Sequence, residues 1–189
     1  GYPTSVAGVP PDYFSATGQL WCNPLYDWDY HKATGYKWWI DRIRRQLTLT
    51  DYLRIDHFRG FAAYWEVDAA EDTAINGKWR KGPGMELFRA IEKALGPIPL
   101  IAEDLGVQTD EVRELLSASG FPGMRVLIFG FTPDYDNEHL PHNYLPNSIV
   151  YTSTHDSQTV CEQIMDICSE QEKQFAYRYL RTSHSEAMG

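Results

Sequence analysis

Apolar and polar positions along the chain fall into alternating helix-like and strand-like runs. Tyr36, Trp39, Ile40, Ile43 and Leu47 recur every three to four residues, while Lys37, Arg42, Arg44 and Arg45 fall largely elsewhere on the wheel. That pattern predicts an amphipathic helix with a solvated basic face. "DYLRID", 51–56, then reads as a short strand. A loop of roughly 25 residues, rich in glycine and aromatics, is expected after it, and loops of that length are usually functional or disordered. Leu87, Phe88, Ile91, Ala94 and Leu95 predict a second helix, stopped by Gly96 and Pro97, and "IPLIAED", 98–104, a second strand. Thr109 is a candidate cap for the next helix, with Asp110 and Glu111 at the positive end of its dipole and Gly120 and Pro122 ending it. "MRVLIFGF", 124–131, and "NSIVYT", 147–152, are the third and fourth strand signals. The last leads through "STHDSQT" into a helix along Val160, Ile164, Ile167 and Cys168.

Alternating strands and helices imply parallel strands joined by right-handed crossovers, so the fold class is α/β. A doubly wound sheet and a (β/α)8 barrel both satisfy the periodicity. The polar residues add a positional clue: Asp56 ends the first strand, Glu103 and Asp104 the second, and His155 and Asp156 follow the fourth. In a barrel, C-terminal strand ends converge on one mouth, where catalytic residues gather. Three carboxylates far apart in the chain would then be neighbours.

Composition narrows the partner. With 189 residues, 43% hydrophobic and 23% charged, the chain fits one ordinary globular domain or part of one. A formal net charge of -9 disfavours nucleic acid, whose binding rests on neutralising phosphates with Lys and Arg; a neutral or small polar ligand fits better. Cys22, Cys161 and Cys168 form neither a CxxC nor a Cys/His pattern, so neither a metal site nor a disulfide framework is expected, and a reducing, cytoplasmic setting is. No apolar run approaches a membrane span, and the first residues lack signal-peptide features. The chain starts without Met and stops straight after a helical pattern, which reads as an excerpt of a longer protein.

Two carboxyl groups in one cleft suit glycoside chemistry: one protonates the leaving oxygen while the other places negative charge beneath an oxocarbenium-like centre. Arg54 lies two residues from Asp56 on the same strand face and can keep it ionised and oriented. By itself, an Asp between two arginines, here Arg54 and Arg59, is more often a structural ion pair than a nucleophile. Glu103 follows the apolar "IPLIA", which favours a raised pKa and an acid role. His57 and His142 are open between structural and functional roles. Cys161 and Cys168, on a predicted helix, read as buried small hydrophobes.

"RIDHFRGF" at 54–61, "IAEDLG" at 101–106 and "THD" at 154–156 resemble, in this order, the three catalytic motifs of the 4-alpha-glucanotransferases (amylomaltases or disproportionating enzymes) of the alpha-amylase superfamily. "GVPPDYFSATGQLWCNPLYDW", 8–28, is similar to the family's loop beside the active site, and "GKWRKGPG", "GFPGMRVL" and "LPHNY" also follow its pattern. The resemblance implies a partial (β/α)8 barrel, with residues 1–189 belonging to one catalytic domain truncated at both ends. It implies transfer of alpha-1,4-glucan segments between maltooligosaccharides by a retaining double displacement, without cofactor. By motif match, Asp56 is the nucleophile, Glu103 the acid and then base, and Asp156 the transition-state stabiliser. Arg54 would orient Asp56, His155 would hydrogen-bond the donor sugar, and Asp12, Phe14, Gln19, Trp21 and Asn23 would lie near the glucan, Trp21 stacking on a pyranose face.

Departures from the family pattern are Cys22 where Gly is usual in "LWGNP", Ile128 where Gln is common, and "STHDSQT" for the more frequent "GTHDNDT". None removes a presumed catalytic group. The alternatives are an alpha-amylase-type hydrolase, which the 8–28 loop disfavours, and a non-catalytic glucan-binding remnant, which the presence of all three acids disfavours.

Overall fold

The computed structural model describes residues 1–12, 15–106 and 108–183, in two compact units, 1–121 and 122–189. In the first unit, strands β1 (Ser5–Val9) and β2 (Gln19–Pro24) precede helices α1 (Trp28–Ala33) and α2 (Lys37–Gln46). Strand β3 (Leu53–Ile55) runs into a 3-10 turn at Phe58–Phe61, then β4 (Ala63–Asp68) and β5 (Lys78–Lys81). Helix α3 (Met85–Leu95), strand β6 (Leu100–Ala102) and helix α4 (Asp110–Ser119) complete it.

β3 and β6 pair in parallel, as the alternation of strands and helices requires. The other sheet of this unit, in the order β2-β1-β4-β5, is antiparallel. It corrects two expectations. The stretch 8–28, expected as a loop, contains strand β2 paired with β1, and the loop expected after residue 56 is largely the β4–β5 hairpin. Their patterns hide them: β5 is exposed at all four positions, so it shows no inward-outward alternation.

The core of this unit lies where α2, α3 and α4 cover β6 and the 3-10 turn. Trp39 and Ile43 from α2, Leu87 and Ile91 from α3, Leu115 from α4 and Phe58 from the turn are buried together. Each large side chain removed from water there contributes about 1.5–3 kcal/mol. Phe58 stacks on Phe88 at 5.6 Å between ring centroids, which anchors the residue two positions beyond Asp56. The basic face of α2 is solvated, with Lys37 and Arg44 both paired to Asp41.

In the second unit, β7 (Gly123–Val126) and β8 (Ser148–Tyr151) pair in parallel. Helix α5 (Val160–Glu162) opens at once into a wider π turn, Gln163–Ile167, and α6 (Glu170–Leu180) follows behind a capping box of Ser169 and Glu172. The apolar run 124–131 is therefore strand only to Val126; Leu127–Gly130 winds into a 3-10 turn. A continuous apolar run carries no period to separate the two.

Two smaller corrections concern side chains. Thr109 occupies the cap position of α4 but makes no side-chain capping bond; its carbonyl accepts from Val112 and Arg113 instead. Cys168 is buried, whereas Cys161 is exposed, because the π turn changes the helical phase between them.

Candidate active site

The parallel register Leu53↔Leu100, Arg54↔Ile101, Ile55↔Ala102, carried one residue further, sets Asp56 beside Glu103. One further ladder bond forms, Glu103 N–H donating to the Ile55 carbonyl at 3.0 Å; the pairing then ends, and the Glu103 carbonyl accepts from Phe58 N–H at 3.0 Å, one residue beyond the position a regular ladder would use. Both carboxylates thus leave the sheet at neighbouring C-terminal strand ends.

Their surroundings differ. The Asp56 side chain is 79% exposed and is held by an ion pair with Arg54, itself only 27% exposed. So exposed a pair contributes at most about 1 kcal/mol to stability; its effect is to orient the carboxylate. Glu103 is half-buried, its Oε2 accepting from the His57 N–H and its Oε1 from the Leu105 N–H, each at 2.8 Å. Burial raises its pKa above the ordinary carboxyl value, against those two hydrogen bonds, which favour the ionised form; the Asp56 charge adds to the rise and Arg54 opposes it.

His57, between the two acids in sequence, has left-handed backbone with φ 48°. Its pKa is lowered from 6.5 to about 4, chiefly by burial, with the Arg59 cation adding and Asp56 opposing. The imidazole is neutral at pH 7. His142, by contrast, is structural: Nδ1 is 2.8 Å from the Tyr179 hydroxyl and Nε2 2.9 Å from the Tyr135 carbonyl.

Strand β2 brings the substrate-loop candidates to this place. The Trp21 ring meets the His57 ring edge-on, with centroids 4.8 Å apart, and Trp21 Nε1 donates to Gln19 Oε1 at 3.1 Å. Cys22, the residue after Trp21, has φ 62°. Asn23 opens onto a cleft of about 740 Å³ shared with Tyr26, Tyr30 and Trp38. Asp12 is occupied locally, its Oδ1 accepting from Ser15 N–H at 2.9 Å. Phe14 lies outside the described residues. Asp104 is buried, and its backbone carbonyl accepts from the Gln108 amide.

The first unit therefore brings together Arg54, Asp56, Glu103, His57, Gln19 and Trp21. His155 and Asp156 belong to the second unit, in the turn after β8, where His155 Nε2 is 3.3 Å from Asp156 Oδ2 and both side chains are exposed. What sequence reading left open is His57: nothing in "RIDHFRGF" announces that its backbone N–H reaches Glu103. The hint available was its place directly after Asp56, at the turn off the strand. Among the described residues, no group of three or more His, Cys, Asp or Glu side chains is arranged to hold a metal, and no helix is long and apolar enough to cross a membrane.

A mixed α/β chain with polar side chains gathered at parallel strand ends has the layout of the α/β enzymes. The 4-alpha-glucanotransferase family model matches residues 3–188, and the chain belongs to that family. It is 52% identical over 97% of its length to a 4-alpha-glucanotransferase of Clostridium butyricum, and 50% identical over 98% to the chloroplastic/amyloplastic 4-alpha-glucanotransferase of Solanum tuberosum. It spans 38% and 32% of those two proteins, about a third of their length. Among solved structures, the amylomaltase of Streptococcus agalactiae in complex with acarbose superposes with a TM-score of 0.91 at 45% identity, over 96% of this chain and 37% of that one.

Proposed function

We propose that this chain carries the reacting carboxylates of a 4-alpha-glucanotransferase built on a (β/α)8 barrel, of which the described strands are a part. The observation that carries the reading is the placement of Asp56 and Glu103 directly after the paired parallel strands β3 and β6 in unlike environments: one exposed beside Arg54, the other half-buried with a raised pKa. That asymmetry is what a retaining mechanism needs, since one group must attack while the other holds a proton.

In the first half-reaction, Asp56 attacks the anomeric carbon of an alpha-1,4-glucan and forms a glucosyl ester, while Glu103 protonates the departing 4-oxygen. In the second, the 4-hydroxyl of an acceptor glucan attacks that ester, its proton passing to Glu103. Asp156 and His155 are assigned to the donor sugar's hydroxyls by the match of "THD" to the family motif. Arg54 orients the nucleophile. The arm 8–28, with Trp21 as a stacking platform and Gln19, Asn23, Asp12 and Phe14 along the glucan, keeps the acceptor in place and water out, which favours transfer over hydrolysis. The acarbose complex of the related amylomaltase supports a ligand of this kind. For a retaining pair, the reacting carboxyl groups are expected at roughly 5–5.5 Å. Three cysteines without a CxxC or Cys/His spacing fit work in a reducing compartment such as the cytoplasm.

The test is to give the full-length protein pure maltotriose. Glucose plus a ladder of longer maltodextrins is expected; products no longer than the substrate would identify a hydrolase. Asp56→Asn is expected to lower turnover by at least about a thousandfold, as loss of a covalent nucleophile does. Unchanged turnover would remove Asp56 from the role.

A further inference from the structure

We propose that His57 is a positioning residue that fixes the Glu103 carboxylate and joins it to the Trp21 arm. The inference rests on the reading of Glu103 as the acid and adds a residue to it.

Three observations meet at His57. Its N–H is one of the two backbone donors to Glu103, at 2.8 Å from Oε2. It can point there because residue 57 has φ 48°, a left-handed conformation that is uncommon for a residue with a side chain, though His, Asn and Asp adopt it more readily than most. The ring then has two close neighbours. Trp21 of β2 meets it edge-on with centroids 4.8 Å apart, and Gly60 lies near enough that a Cβ there would stand 3.0 Å from His57 Cδ2. Phe58, fully buried, anchors the next residue.

Backbone strain of this kind persists only where the surroundings over-determine it. Here the surroundings are the packing of the ring, and what the strain holds is a donor on a reacting group. Displacing Trp21 or the ring therefore displaces the donor to Glu103. An acceptor sugar that stacks on Trp21 is in this way mechanically connected to the group that must take its proton. Among the described residues, the charged groups acting on the pair are Arg54 on β3, Asp56 just after it and Arg59 in the 3-10 turn, with Asp104 next to Glu103 in the chain, while β2 carries Gln19, Trp21, Asn23 and the Cys22 thiol.

Maltotriose disproportionation by the full-length protein, followed across pH for wild type, His57→Asn and His57→Val, tests this. Valine disfavours φ above zero, so the N–H swings away from Glu103. Losing a donor to the ionised form moves the alkaline limb of kcat/KM up by about half a pH unit or more. Asparagine tolerates the left-handed backbone and keeps the donor. Its limb moves clearly less than valine's, since the backbone stays tolerated and only the ring packing is lost, while KM for an acceptor glucose rises several-fold because the edge contact to Trp21 is gone. A His57→Val protein that melts cooperatively and keeps the wild-type limb overturns the proposal, as does an equal limb shift in both variants. If His57→Val does not fold, His57→Ala replaces it with the same expectations. Glu103→Gln is the separate control: if that variant is fully active, the acid assignment itself fails, whereas an inactive Glu103→Gln with an unmoved His57 limb sinks only the positioning role.

Discussion

At the scale of single residues, the backbone of strand β2 explains a departure from the family's pattern. Cys22 stands where Gly is usual, and its φ of 62° is a conformation in which a Cβ crowds its own carbonyl. Glycine at 22 relieves about 1–2 kcal/mol of that cost and gives back part of it, about 0.4–1 kcal/mol, as extra freedom of the unfolded chain. Cys22→Gly is therefore expected to stabilise the protein by roughly 0.5–1 kcal/mol. The check is the urea midpoint at unchanged m; a midpoint equal to or below wild type would show that the neighbours of Cys22 compensate for its strain.

At the scale of elements, the site depends on how the 3-10 turn after β3 is seated. Strand β5 leads directly into Gly82, whose N–H donates to the Ala62 carbonyl at 2.8 Å. A Cβ there would lie 2.3 Å from the Phe61 carbonyl oxygen and 2.6 Å from that of Gly60. These are backbone atoms, so no side-chain rotation relieves the clash. Gly82→Ala is expected to cost about 1–3 kcal/mol, the usual range for overpacking, and to push the turn that carries His57 and Phe58. Denaturant unfolding reads the first effect and maltotriose turnover of the full-length protein the second. An alanine variant with wild-type stability would mean that β5 and the turn are not in register contact.

At the scale of the whole molecule, the half-buried imidazole of His57 links stability to pH. His57 has its pKa lowered from 6.5 to about 4 on folding, so the unfolded chain binds the proton more tightly. The stability associated with the neutral ring is complete above pH 6.5 and is lost as pH falls toward 4, an effect of up to about 3 kcal/mol. Glu103 acts in the opposite sense: its raised pKa means that folding is penalised once the carboxyl ionises, so its contribution declines as pH rises above the ordinary carboxyl range. His57→Asn separates the two. Stability measured between pH 7 and 4 is expected to fall less steeply in that variant than in wild type; parallel curves would show that His57 does not titrate in this interval.

The sequence by itself determined the helices α2, α3 and α4 and the cores of the four parallel strands, because their periodicity and their Gly and Pro stops are local properties. It also placed Asp56 and Glu103 at strand ends, since both follow short apolar runs. The family motifs carried the proposed chemistry, but motifs carry no coordinates. Only the tertiary structure decided that β3 and β6 pair in a register that sets Asp56 beside Glu103, and that β2 returns along β1 to lay Trp21 against His57. Those contacts join residues tens of positions apart and leave no period in the chain. The β4–β5 hairpin stayed hidden because β5 faces solvent at every position, and the donor at His57 because it depends on a backbone angle held by tertiary packing of the ring.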